Sequence, residues 1–329
     1  MGRSKQISVG GRTDALASCY HERVLVELRE AHPEMMFIDA RGARPAASSR
    51  ERTNAAKRGS ASGAPVAVAR KRSDPRKWAA AILQRIARGE LDVAVMDARW
   101  IPLQTPPTVV IAAILERTNP FDVLVSSENL ILDEQPESTC IAASEPVKRG
   151  QILYYRPDLK LVEGSDDFDE LLAMMKQGEI GGFIYPASDT EALNQQENVV
   201  EVFTTSICTP LAGQGALALL ARRDRKDVVA ALGDLNDPST AAEVELERLF
   251  LELVTKDGRG PVGVLGNVEG GDFEIEAAIA EPDGSEKIVG EIRGHLADRV
   301  RLVGKLAGEI LQSGGGEIVA SFRKARGNG

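Results

Sequence analysis

The chain opens on strand, glycine turn, helix and strand, and this order admits little besides a parallel α/β fold. Ile7-Ser8-Val9 reads as a short strand, and Gly10-Gly11-Arg12-Thr13-Asp14 as the turn after it. Asp14 suits the N-cap of a helix over 15–31, in which Leu16, Tyr20, Val24 and Leu28 recur at helical spacing and beyond which Pro33 bars continuation. A second strand is expected over 35–38. Strands joined through a helix pair in parallel, because the crossover returns the chain to the end of the sheet where the first strand began.

The same reading continues downstream. Strands are expected over 91–96, 109–115, 140–143, 182–185 and 216–221, and a new segment over 121–126 after Asn119-Pro120, where the chain is expected to cross between domains. Helices are expected over 78–88, from Ser144-Glu145-Pro146 to 153, over 169–177, over 239–254 with Ser239 as cap, and over 296–312. A hairpin pairs 273–280 with 287–293 around Pro282-Asp283-Gly284.

Composition narrows the class. At 329 residues the chain has room for two or three cores, and 43% hydrophobic with 4% aromatic content describes an aliphatic globular protein. No apolar run approaches the roughly 18 residues that span a bilayer, and the start lacks the apolar core of a signal peptide, so the cytoplasm is expected. Cys19, Cys140 and Cys208 are far apart, and His21, His32 and His295 make no ligand spacing with them; reduced thiols and no metal site follow. Net charge is −9, yet residues 41–77 carry eleven Lys and Arg against Glu51 and Asp74. That basic stretch, rich in Ala, Ser and Gly, is expected to be a mobile loop. Nucleic acid is not expected as a partner, since aromatic residues do not interleave the cations and the rest of the chain is acidic.

Five stretches in fixed order carry a resemblance. They are the Arg12 turn with its helix; Glu116-Arg117-Thr118-Asn119-Pro120-Phe121-Asp122; Arg156-Pro157-Asp158-Leu159; Gly213-Gln214-Gly215-Ala216; and Pro282-Asp283-Gly284-Ser285. Together they resemble the porphobilinogen deaminase (hydroxymethylbilane synthase) family of tetrapyrrole biosynthesis. The resemblance implies two α/β lobes of the type II periplasmic-binding-protein kind, crossed twice by the chain, and a small α+β domain. On that frame the first lobe spans 1–117 and 208–226, the second 118–207 and the third domain 227–329, with the active cleft between the lobes.

The resemblance also implies working residues, and here the chain departs from the family. A dipyrromethane primer is held there through a cysteine. Spacing without gaps from Glu247-Arg248 to Pro261-Val262-Gly263 sets Gly258 at that position, so no such cofactor is expected. The family's catalytic aspartate closes His-Ser-x-Lys-Asp-x-Pro, which becomes Met96-Asp97-Ala98-Arg99-Trp100-Ile101-Pro102, with Trp100 at the aspartate position. Neutral indole cannot stabilise a cationic intermediate or move a proton. Asp97 is expected on the opposite face of a continuing strand. The arginine loops that gather pyrrole carboxylates become Ala142-Ala143-Ser144-Glu145-Pro146-Val147-Lys148 and an acidic run through Asp166, Asp167, Asp169 and Glu170, expected to cap a helix.

Arg12, Arg99, Trp100, Ser144, Lys148, Arg149 and Gln214 remain as candidate ligand-binding residues, with Trp78 and Trp100 as an aromatic wall. These departures point to a family member repurposed for another small anionic or pyrrole-like ligand. A non-catalytic clamshell and a helper subunit are the alternatives, ahead of a working synthase.

Overall fold

The computed structural model describes residues 6–41 and 75–327. Most of the basic stretch therefore lies outside the described residues; its last three, 75–77, begin a helix. The chain runs β1 (Gln6–Gly10), α1 (Ala15–Ala31), β2 (Met36–Asp39), α2 (Pro75–Ala87), β3 (Val93–Asp97) and β4 (Val109–Ile114) before leaving the first lobe. It builds the second from β5 (Asp122–Ser126), β6 (Cys140–Ala143), α3 (Pro146–Tyr155), β7 (Lys160–Glu163), α4 (Phe168–Lys176), β8 (Gly182–Pro186), α5 (Ala187–Ala192) and β9 (Val199–Val202). It then returns through β10 (Leu217–Arg222) and α6 (Lys226–Gly233), and ends in α7 (Pro238–Thr255), β11 (Val262–Glu269), β12 (Asp272–Ala280), β13 (Lys287–His295), α8 (Arg299–Ile310) and α9 (Gly316–Gly327).

The two lobes share one plan. The first sheet has the order β2-β1-β3-β10-β4 and the second β7-β6-β8-β5-β9. In each, three strands are parallel and the fourth is antiparallel, and that fourth strand is the one that has crossed from the other lobe: β10 pairs antiparallel with β3 and β4, β5 with β8 and β9. This is the double crossing of a periplasmic-binding-type fold. The third sheet, β11-β12-β13, is an antiparallel meander backed by α7, α8 and α9.

Local chemistry explains most boundaries. Asp14 caps α1 by accepting from the Ala17 N–H at 3.0 Å, as its position in the sequence predicts. The helix buries Val24, Leu25 and Leu28 against the sheet, whereas Leu16 and Tyr20, expected on the same apolar stripe, line the space between the lobes. The cap of α7 is Asp237, which accepts from Thr240 N at 2.7 Å, and not Ser239, which follows the helix-initiating Pro238. Val228 and Leu232 of α6 sit in the first-lobe core, so 226–233 packs on the first-lobe side of the boundary expected at 226/227. The last expected helix, over 296–312, begins as a 3-10 turn over 296–298 and continues as α8, and beyond its end Gly314, with φ 116°, separates α8 from α9. Strands β7, β9 and β11 were not legible, being short and half-exposed or interrupted by glycine. Among the described residues no helix is long and apolar enough to cross a membrane.

One buried titratable group gives this lobe a pH dependence. His21 on α1 is fully buried, with Nε2 3.2 Å from Asp39 Oδ1. Burial pushes its pKa below the usual 6.5, although Asp39 pulls the other way. The folded state therefore binds fewer protons than the unfolded chain once the pH falls below about 6.5. Stability is complete above that value and declines below it, with a limiting slope of about 1.4 kcal/mol per pH unit. Urea denaturation at pH 7.5, 6.0 and 5.0 is expected to show that loss, and His21→Gln to flatten it.

Candidate functional site: the cleft between the lobes

The cleft is floored by the end of β3 and roofed by the start of α5. Strand β3 does not continue past Asp97; it turns into a single 3-10 turn over Ala98–Trp100, capped by Asp97 through the Arg99 N–H at 2.9 Å. This overturns the expectation that Asp97 faces away from the cleft, because the alternation of a strand lapses where the strand ends. The Asp97 carboxylate takes Arg99 Nε at 2.8 and 3.0 Å, and it also binds Nη2.

Nη2 of Arg99 then crosses the cleft to Asp189 of α5, at 2.7 Å and 3.0 Å to its two oxygens. Tyr20 donates to the same carboxylate at 2.7 Å. One guanidinium thus joins a carboxylate of each lobe. Burial alone would drain its proton, but Asp189 and Asp97 hold Arg99 well above the ordinary arginine value. Burial pushes the Asp97 carboxyl up against the pull of Arg99. Burial, then Asp189, also raises the Tyr20 phenol, which stays a donor.

The other candidates are likewise engaged. Arg12 pairs with Asp14 at 2.8 Å. Lys148 and Gln214 do not face the cleft as free groups: Lys148 Nζ, buried, lies 2.5 Å from Asp122 Oδ1 and 3.1 Å from Gln214 Oε1, while Gln214 Nε2 donates to Pro120 O at 2.8 Å. Arg149 turns onto the carbonyls of Ala143 and Ser144 at 2.8 and 3.2 Å. Ser144 lines a small cavity of about 50 Å³ with Arg12, Arg99 and Trp100.

Trp78 and Trp100 lie against the first-lobe core and line a neighbouring cavity of about 50 Å³, with the Arg76 guanidinium 4.9 Å above the Trp100 ring. A third cavity of the cleft, about 370 Å³, runs between α1 and α4 and is lined by Arg12, Asp14 and the run from Ser165 to Glu170, with Tyr185 and Phe168 as its aromatic surface. Within that run Asp167 caps α4 through the Glu170 N–H, as expected. Among the described residues no group of His, Cys, Asp and Glu is arranged to hold a metal.

Residues 7–230 match the family model described as porphobilinogen deaminase, dipyromethane cofactor binding domain. The chain belongs to the porphobilinogen deaminase family. A porphobilinogen deaminase of Desulforudis audaxviator is 28% identical over 320 residues, covering 97% of this chain and 98% of that one. One of Syntrophomonas wolfei is 31% identical over 243 residues, 74% of this chain and 79% of its own. Among solved structures, a TRAP periplasmic solute binding protein from Desulfovibrio salexigens aligns at TM-score 0.42 and 11% identity, over 71% of this chain and 72% of that one.

Gly258, at the expected cysteine position, has φ +76°, and a Cβ there would meet Leu103 at 3.2 Å. Cys208, the most buried thiol, has its Sγ 3.6 Å from Asp122 Oδ2, and burial raises its pKa well above the ordinary value. None of the cavities described above includes a cysteine among its lining residues. Sequence reading missed Asp189, Asp122, Tyr20 and Tyr185 as site residues. Tyr20 was hidden within an amphipathic pattern, and the others carry no local signal.

Proposed function

We propose that this member of the porphobilinogen deaminase family does not build a tetrapyrrole on a dipyrromethane primer, and that its cleft holds a small carboxylate or pyrrole-like ligand without a covalent bond. One observation carries the reading: each retained cation of the cleft already has a partner within the chain, Arg12 in Asp14, Arg99 in Asp97 and Asp189, Lys148 in Asp122. A cleft that gathers the many carboxylates of a growing pyrrole chain needs guanidinium groups with donors to spare. Here the wall lined by Asp166, Asp167, Asp169 and Glu170 adds negative charge instead.

The missing thiol and the indole at the aspartate position point the same way. The pairing of cations also favours binding over acid–base catalysis, because groups locked in ion pairs neither give nor take protons readily. A non-catalytic clamshell is therefore the form of this reading that the geometry supports best.

The test is direct. After incubation with porphobilinogen, the intact mass is expected to equal the sequence mass, with no Ehrlich-positive adduct and no uroporphyrin formed. The Gly258→Cys/Trp100→Asp double variant is expected to stay equally inactive, because a side chain at Gly258 is strained by about 1–2 kcal/mol and the carboxylate clamps are still lacking. A bound dipyrromethane on the wild-type chain would falsify the proposal.

A further inference from the structure

The contact between Asp189 and Arg99 has the form of ligand recognition. A carboxylate from one lobe enters a donor set built by the other, with the Arg99 guanidinium and the Tyr20 hydroxyl both within 3.0 Å. Both oxygens are used, and Ser188 Oγ adds a contact at 3.3 Å to Oδ1. Asp189 is only 3% exposed, so opening the lobes returns it to water and leaves Arg99 with Asp97 alone. Asp189 sits in the first turn of α5, directly after the fully buried β8, and cannot swing independently of its lobe. Arg99 is fixed from below by Asp97, which holds both its backbone N–H and its Nε.

We infer that Asp189 is an internal carboxylate ligand that keeps the two lobes shut when the cleft is empty, and that an external carboxylate enters by displacing it from Arg99 and Tyr20. The order of events is then the reverse of an ordinary clamshell: the ligand-free protein is closed, and the ligand competes with closure. An intramolecular carboxylate acts at an effective concentration on the order of millimolar or above, so a lone external carboxylate competes poorly until Asp189 is removed. The charge balance supports the exchange, since one carboxylate replaces another beside the same guanidinium.

The ligand half of this inference rests on the functional reading above; the closure half does not, and the experiment separates them. Small-angle X-ray scattering of the ligand-free wild type and of Asp189→Asn reports closure without any ligand. Isothermal titration with propionate reports access to Arg99. Asp189→Asn is expected to show a larger radius of gyration and to bind propionate at least about tenfold more tightly than the wild type. A folded Asp189→Asn with scattering superimposable on the wild type overturns the closure. An opened variant with unchanged propionate affinity overturns the competition. Should Asp189→Asn fail to fold, Arg99→Gln decides from the other lobe: it removes the guanidinium that Asp189 grips, and an unchanged radius of gyration in that variant overturns the closure equally. A covalent pyrrole adduct, by contrast, sinks the functional reading while leaving the scattering result intact.

Discussion

Glu247→Ala is expected to lower the free energy of unfolding by about 3–5 kcal/mol, the range found when one partner of a buried ion pair is removed. Glu247 lies on α7 and is fully buried where the third domain meets the crossing segments. Its carboxylate accepts four hydrogen bonds: Arg117 Nη1 at 2.7 Å and Nη2 at 2.9 Å, Gly213 N at 2.6 Å and Gly266 N at 2.9 Å. Those donors come from the first-to-second crossing, the return crossing and β11. Truncation strands a guanidinium whose side chain is only 8% exposed, with Glu243 at 3.7 Å as its remaining acid, and two backbone N–H groups besides. The loss is read as a fall in the urea midpoint. Glu247→Gln is expected to lose less, because its one amide oxygen still accepts from one of the two glycines.

Lys148→Met is expected to cost about as much, again about 3–5 kcal/mol, for a related reason. The ammonium is the only cation within hydrogen-bond reach of Asp122 in the described residues, and both side chains are almost wholly excluded from water. Without it Asp122 keeps only Gln214 Nε2 at 3.1 Å and the weak Cys208 thiol donor. Pairing Lys148→Met with Asp122→Leu is expected to restore most of the loss, since two apolar groups leave no stranded charge. A double variant no more stable than Lys148→Met alone would show that the site tolerates no replacement of similar volume, and that the charge is not what matters.

Both sites illustrate what was legible in the sequence and what was not. The α/β class, the helix cap at Asp14 and the hairpin at Pro282-Asp283-Gly284 depend on neighbouring residues, and local chemistry decides them. Lys148 was legible as a cation near the cleft, but its burial was not. That follows from Asp122 and Gln214, 26 and 66 positions away, which only the double crossing brings together. Asp189 is 90 positions from Arg99 and sits in a short helix whose sequence gives no sign of a role. Asp97 failed for a different reason. Its expected direction assumed a strand one turn longer than the chain builds, and a 3-10 turn rotated the carboxylate into the cleft.

The return crossing lies directly on the turn that carries Arg99. Ala98 N donates to Ala216 O at 2.9 Å, and Gly213, with φ +78°, is so close that a Cβ would stand 2.7 Å from the Ala98 carbonyl carbon. No side chain cushions that approach, so backbone bears on backbone. The segment and the turn are joined further by the β10–β3 ladder, Leu217 opposite Asp97, so they move as one body when the lobes spread. Were the jaws prised wider, the positive charge would travel with the first lobe, its heading still set by Asp97 and not by the girth of the guest.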